Sequence, residues 1–313
     1  IDIDIDDKDK DSFKPDPDPV IDPKDHKGFG LSDEERKDPN KIQVTIADKD
    51  APIVVLFGPP TCGKTMTLVR LVRFLRYMGG YTVTPVRTFR PNTDKNYKWL
   101  CDNFNSMINS DQAQAGTDRM NFMLVKISKK GRTICQILEA PGEYYFDPKE
   151  PNAPFPRFFD HITATNARKI WTIMVEPKPE WERETADRLN YVDRIRHRLK
   201  RRMTSKDKVI FVYNKIDEAE FLSNESESLI DNSGSFYLEP ARKEIKDLYP
   251  NIFEAFKNNN PITKIFTPYN LEFMVFQTGS YHGDKNTGRQ TFEDGPDIYP
   301  RRLWEIILKK VRG

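Results

Sequence analysis

Three short runs in this 313-residue chain carry side chains that could work on one substrate. The first is Gly58-Pro59-Pro60-Thr61-Cys62-Gly63-Lys64-Thr65. Glycines near both ends let a backbone curl with its N–H groups pointing inward, Lys64 offers a mobile cation to outer phosphates, and the Thr65 hydroxyl can ligate Mg2+. Met66 opens a helical pattern whose positive end would lie under the same phosphates. The second run is Glu139-Ala140-Pro141-Gly142. An acidic residue there can reach a magnesium shell, and the Gly142 N–H can meet a terminal phosphate. The third is Asn214-Lys215-Ile216-Asp217. Guanine presents N1–H and its N2 amino group side by side, so one carboxylate at Asp217 can accept both; adenine has no such pair of donors. Asn214 would brace the loop and reach the base, and the Lys215 stem would lie over the base plane.

These runs need elements that hold them together, and the patterning supplies them. The apolar stretch 53–57 reads as a buried parallel strand delivering the first run. Residues 66–78 place Leu68, Leu71, Val72 and Leu75 at helical spacing, and Gly79 and Gly80 stop the helix. A short strand is expected at 81–87, an inserted helix at 93–109, and a polar loop at 110–119. Two strands, 121–127 and 132–138, are joined by the turn Ser-Lys-Lys-Gly and lead into Glu139. Buried strands at 169–175 and 208–213 flank a long helix at 181–203, and the second delivers Asn214 to Asp217. A last strand at 273–277 ends in Thr278, Gly279 and Ser280, before an amphipathic helix at 300–311. Residues 41–47 alternate like an edge strand.

Composition narrows the classes. The chain is 37% apolar and 31% charged with a formal net charge of +2. Residues 1–40 hold 14 acidic and 7 basic side chains by count, or −7, which leaves +9 for the rest. That first segment, poor in large apolar residues, is expected to be a disordered acidic arm or linker. No apolar run is long enough to span a bilayer, so membrane association is expected only through a segment preceding Ile1 or through a partner. Cys62, Cys101 and Cys135 lack metal-ligand spacing, which suits a reducing, cytoplasmic setting. A thiol at Cys62, beside bound phosphates, is either a small filler or a reactive group. The basic run 194–202 places positions 194, 198, 201 and 202 on one helix face. Without interleaved aromatics it reads as a solvated face or an acidic-partner surface rather than a nucleic-acid site.

In this order the runs Gly58–Thr65, a threonine before the hairpin, Glu139–Gly142, Asn214–Asp217 and Thr278-Gly279-Ser280 resemble the five guanine-nucleotide motifs of P-loop GTPases of the Ras-like, translation-factor-related (TRAFAC) class. The enlarged loops are similar to those of bacterial conflict-system GTPases. The resemblance implies a three-layer α/β G domain over about residues 41–313, with a mainly parallel six-stranded sheet, one antiparallel strand and helices on both faces. It implies GTP and GDP as ligands with Mg2+, held by Gly58 to Met66, Asn214, Lys215, Asp217, Thr278 and Gly279. Thr65, Thr117 and Glu139 would form the metal set, with Thr88 and Thr93 as rivals of Thr117. Lys64, Thr117, Gly142 and Glu143 would serve hydrolysis, Glu143 standing where a residue orients the attacking water.

The departures also matter. Glu139 replaces the usual Asp, and Glu143 puts a carboxylate near a triphosphate, which implies slow hydrolysis. Lys64 and Gly142 are 78 positions apart, and insertions fall near 80–116, 144–154, 219–235 and 281–297. Those loops and the switches at 110–119 and 139–160 are where a protein partner is expected to bind. The expected function is a slow GTP switch that regulates or assembles a larger complex; the alternative is a nucleotide-binding assembly module with little hydrolysis. An ATPase or kinase is disfavoured by the Asn214–Asp217 run.

Overall fold

A computed structural model describes residues 31–109, 120, 122–223, 238–282 and 291–313. Its centre is β1 (Ile53–Phe57), whose five side chains are all buried. A strand buried on both faces must be apolar throughout rather than alternating, and this one is. The other strands are β2 (Tyr81–Pro85), β3 (Met123–Lys129), β4 (Arg132–Glu139), β5 (Lys169–Val175), β6 (Lys208–Tyr213) and β7 (Glu272–Val275). They form one sheet in the order β2-β3-β4-β1-β5-β6-β7. β4, β1, β5, β6 and β7 are mutually parallel, and β3 runs against them.

The six-stranded sheet expected from the sequence is thus present, with β2 added as a seventh strand, paired antiparallel to β3. A stretch counted among the insertions therefore extends the sheet. Tyr81 faces Lys129 in that ladder, and the Lys129 ammonium lies 4.7 Å from the Tyr81 ring centre. The β3–β4 turn is tight because Lys130 and Gly131 both take left-handed backbone angles, φ 50° and 75°.

Among the described residues the helices are α1 (Asp33–Lys37), α2 (Lys64–Met78), α3 (Lys95–Asp102), α4 (Phe104–Asn109), α5 (Gly142–Tyr145), α6 (Arg157–Thr163), α7 (Thr185–Asp193), α8 (Lys200–Arg202), α9 (Glu220–Ser223), α10 (Leu238–Leu248) and α11 (Ile298–Arg312). A π-helical segment, Arg194–Leu199, joins α7 to α8. The single helix expected over 93–109 is two, broken at Asn103, whose amide bonds back to the Trp99 carbonyl at 2.9 Å. Helix α2 packs against β2, β4 and α11.

Two expectations change at the amino side. Residues 41–47 form no strand: Ile42 and Ile46 are buried, and Thr45 N–H donates to the Phe89 carbonyl at 2.8 Å. Residues 31–40, expected in the acidic arm, form α1 with a capping box between Ser32 and Glu35, and Leu31 is buried. Glu35 pairs with the buried Arg90, which also bonds Asp94 and the Gln43 carbonyl. A carboxylate that reads as solvated is thus the partner that lets a guanidinium be buried. Residues 1–30 lie outside the described residues.

Candidate functional site

The parallel strands end on one side of the sheet, and all three runs gather there. β1 leads into the first run through Gly58, where a Cβ would stand 2.5 Å from Cys62 Sγ and 3.3 Å from Met174 Cβ. Thr61 and Gly63 take left-handed angles, φ 60° and 85°, and curl the chain over the start of α2. Pro59 and Pro60 bring no N–H, so the loop's backbone donors are those of Thr61 to Thr65. The first N–H groups of a helix lack intrahelical partners, and here they open into the same curl. Lys64, only 5% exposed, lays its ammonium across the loop on the Pro59 carbonyl at 2.8 Å. Met66 turns to the other side of α2 and packs on Phe292. Cys62 is fully buried, and burial pushes its thiol up to about 12, so the reactive reading of this cysteine fails and the filler reading stands.

Glu139 ends β4 directly beside this loop. The Thr65 hydroxyl donates to Glu139 Oε1 at 2.7 Å. The carboxyl is 1% exposed, and burial raises it from 4.5 to about 8 against the pull of the nearby Lys64 charge. Its second oxygen, Oε2, has no hydrogen-bond partner. A hydroxyl and a carboxylate in contact, with one buried oxygen left over, are hard donors of the kind Mg2+ takes. Among the described residues no three His, Cys, Asp or Glu side chains cluster, so such an ion would draw its remaining oxygens from phosphate and water. The longer Glu arm therefore does not keep this carboxylate from the Thr65 hydroxyl.

Gly142 is pressed on the loop itself: a Cβ there would fall well inside contact distance of Pro59 and Pro60 backbone atoms. Glu143 beside it is exposed. The residues that follow are not. Tyr145 and Phe146 are fully buried, Tyr145 against Phe57 at 4.8 Å between ring centres and Phe146 against Tyr191 at 5.2 Å. Arg194, read from the sequence as part of an exposed basic face, is 4% exposed and lies under this segment. Its guanidinium donates to the Tyr145 carbonyl at 2.9 Å and to the Ala153 carbonyl, and stacks 4.1 Å from the Phe155 ring centre. Burial lowers Arg194 to about 10. The basic face is reduced further by the ion pair of Arg202 with Asp160. Thr117 lies outside the described residues, as does the rest of 110–119. Its rival Thr88 lies within the turn Arg87–Phe89, and Thr93 lies between that turn and α3.

The third run joins the first directly. Asn214 is fully buried, its N–H donates to the Val175 carbonyl, and its amide nitrogen donates to the Cys62 carbonyl at 2.8 Å. That amide lies so close over Gly63 that a Cβ would collide with it. Lys215 adopts a left-handed angle, φ 52°, and its ammonium lies 2.6 Å from Glu176 Oε2. Burial pulls Lys215 down, but the Glu176 charge outweighs it and holds the amine above its ordinary value. Sequence reasoning missed Glu176. Its signal is an acidic residue at the carboxyl end of a buried, largely apolar strand, as at Glu139. Asp217 is exposed in the turn Ile216–Glu218.

Thr278 is 8% exposed at the end of the sheet, and Gly279 begins a separate hairpin, β8 (Gly279–His282) with β9 (Thr291–Asp294). The glycine is demanded by that hairpin, since a Cβ at φ 150° would collide with the Glu293 carbonyl. The insertion expected at 281–297 is this hairpin, strapped to α2 by Arg70, which pairs with Asp294 at 2.5 Å and Asp297 at 3.2 Å.

Strand order with β1 between β4 and β5, one reversed strand, a curled loop from β1 into α2 and Asn214 bonded beneath that loop decide the architecture. The fold is that of a P-loop G domain. No protein-family model matches the sequence, and no curated protein matches it. Among solved structures the chain is similar to nucleolar GTP-binding protein 1 from Plasmodium falciparum, at 14% identity over 86% of this chain and 92% of that one, TM-score 0.39. It is similar to the signal recognition particle receptor SRb-GTP/SRX complex from Chaetomium thermophilum, at 14% identity over 83% and 98%, TM-score 0.34. It is also similar to the GTP-bound Ski7 GTPase-like domain from S. cerevisiae, at 11% identity over 90% of this chain and 53% of that one, TM-score 0.41. The match spans about half of that last chain.

Proposed function

We propose that this chain binds GTP and GDP with Mg2+ at the carboxyl ends of its parallel strands and hydrolyses GTP slowly, as a switch that regulates or assembles a larger complex in the cytoplasm. The observation that carries the reading is the bond from the Asn214 amide to the Cys62 carbonyl, because it makes the base run and the phosphate loop one rigid unit. Backbone donors from Thr61 to Thr65 and the Lys64 ammonium would receive the phosphates. Thr65 and Glu139 would hold Mg2+, which neutralises phosphate charge when bound. Thr117 would add to that set. Asp217, exposed and two residues beyond Lys215, would accept from the guanine edge, with Thr278 and Gly279 at its border. Three free, buried cysteines suit a reducing compartment.

Binding of GTP, ATP and XTP by the wild type and Asp217→Asn tests the base site. GTP preference that moves toward XTP in the variant supports it; equal ATP binding overturns it. Glu143, exposed beside a glycine that touches the loop, would orient the attacking water, held off by the phosphates' own charge. Single-turnover hydrolysis should then rise in Glu143→Gln and collapse in Glu143→Ala, and no change in either removes the role.

A second reading, an assembly module with little hydrolysis, is favoured by the burial of Tyr145 and Phe146 and by the Arg194 bonds, which fix the segment expected to switch. No hydrolysis above background with tight GTP binding would select it.

A further inference from the structure

The end of the sheet opposite the nucleotide side has its own character. Every parallel strand begins there, so the segments leading into the strands and the returning ends of several helices make one face. The segment before β7 is organised in detail. Asn258, 7% exposed, donates its amide to Thr263 Oγ1 and the Thr267 carbonyl and its N–H to the Pro268 carbonyl, while Asn260 Oδ1 accepts from the N–H groups of Ile262 and Thr263. This network holds a short turn, Thr263–Ile265, that carries Ile262, Ile265 and Phe266 into solvent at 75%, 76% and 84% exposure. Large apolar side chains fixed in water by a buried asparagine are a feature that folding alone does not require. At the same end the last turn of α2 exposes Tyr77 and Met78.

The surroundings are basic. Lys264 sits between the exposed isoleucines. The π-helical segment ahead of α8 packs on the turn Ile252–Phe256, and Lys200 lies 5.5 Å from the Phe256 ring centre; Lys200, Arg201 and Lys206, at and just after the end of that helical stretch, are all exposed. The β3–β4 turn adds exposed Lys129, Lys130 and Arg132. Of the acidic groups here Glu254 pairs with Lys257 and Glu272 with Lys309 and Lys310; exposed Asp247 at the end of α10, with Asp48 and Asp50 before β1, is the counterweight.

We propose that this face docks on an anionic lipid bilayer, with Ile262, Ile265 and Phe266 entering the headgroup boundary and the lysines and arginines lying on acidic headgroups. The charge selects an anionic surface, and the aliphatic tips select a bilayer over nucleic acid, which gains nothing from isoleucine. The chain would then touch the membrane by its own surface rather than only through a preceding segment or a partner. Docking in this way leaves the strands' carboxyl ends facing away from the lipid.

Sedimentation of the full chain with phosphatidylcholine vesicles, with and without phosphatidylserine, tests this. The wild type should pellet with the anionic vesicles only, and less as salt is added. Ile262→Ser and Phe266→Ser should each weaken partitioning roughly tenfold, and Arg201→Ala and Lys206→Ala roughly fivefold each, with melting temperatures unchanged because all four sites are exposed. Phe266→Trp should show a blue-shifted emission on anionic vesicles. Equal pelleting with neutral vesicles, no pelleting, indifference to the Ile262 and Phe266 substitutions, displacement by single-stranded RNA, or a dimer dissolved by Phe266→Ser would each overturn it.

Discussion

Glu139 is the residue on which the site's electrostatics turn. Its carboxyl is raised from 4.5 to about 8 by burial, so between those values the folded chain keeps a proton that the unfolded chain releases. The unfolded state then binds fewer protons, and stability falls as pH rises across that interval and levels off above it. Thermal unfolding of the nucleotide-free chain should show this decline, on the order of a few kcal/mol from about pH 5 to about pH 8. Glu139→Gln should flatten the profile, and an unchanged slope would mean that the carboxyl is ionised when folded. At this scale the sequence was legible where chemistry is local. Lys64, Thr65, Asn214 and Asp217 announce themselves by spacing, and Glu139 by the Ala-Pro-Gly run that follows it at the end of a strand. Glu176 did not, because its meaning depends on Lys215, 39 positions away, and a lone acidic residue after a strand carries no such information.

Elements were legible through periodicity, and the failures share a cause. A charged residue reads as solvent-facing unless its partner is known. Arg194 looked like one cation among several in a basic helix, yet it is the peg under Tyr145 and Ala153. Arg194→Ala should leave two carbonyls and a ring face without their partner and cost about 3 kcal/mol, read as a shift in urea midpoint. Hydrogen exchange should quicken in residues 142–155 while β1 stays protected; uniform acceleration would place the peg's role in global stability instead. β2 joined the sheet for a related reason: a short strand gives no sign in sequence of which edge it will pair with.

For the molecule as a whole, the six central strands follow from runs of apolar residues interrupted by turn chemistry, and their mainly parallel sheet from what the motif resemblance implies, whereas the amino-terminal boundary follows from neither. Residues 31–46 contribute Leu31, Ile42 and Ile46 to the core, and burying each such side chain is worth about 1.5–3 kcal/mol. A chain starting at Leu31 should therefore retain that contribution, and one starting at Pro52 should lose several kcal/mol in chemical denaturation; equal midpoints would show the segment to be a passive covering. The strap from α2 to the second hairpin has a consequence for synthesis. Arg70 stands six residues past the phosphate lysine, but the carboxylates that let it be buried are Asp294 and Asp297. A contact spanning more than two hundred residues closes late. On the ribosome the helix behind the curled loop must wait, its guanidinium unneutralised, until residue 297 has emerged, so the nascent chain finishes this loop and helix only after more than two hundred further residues have been made.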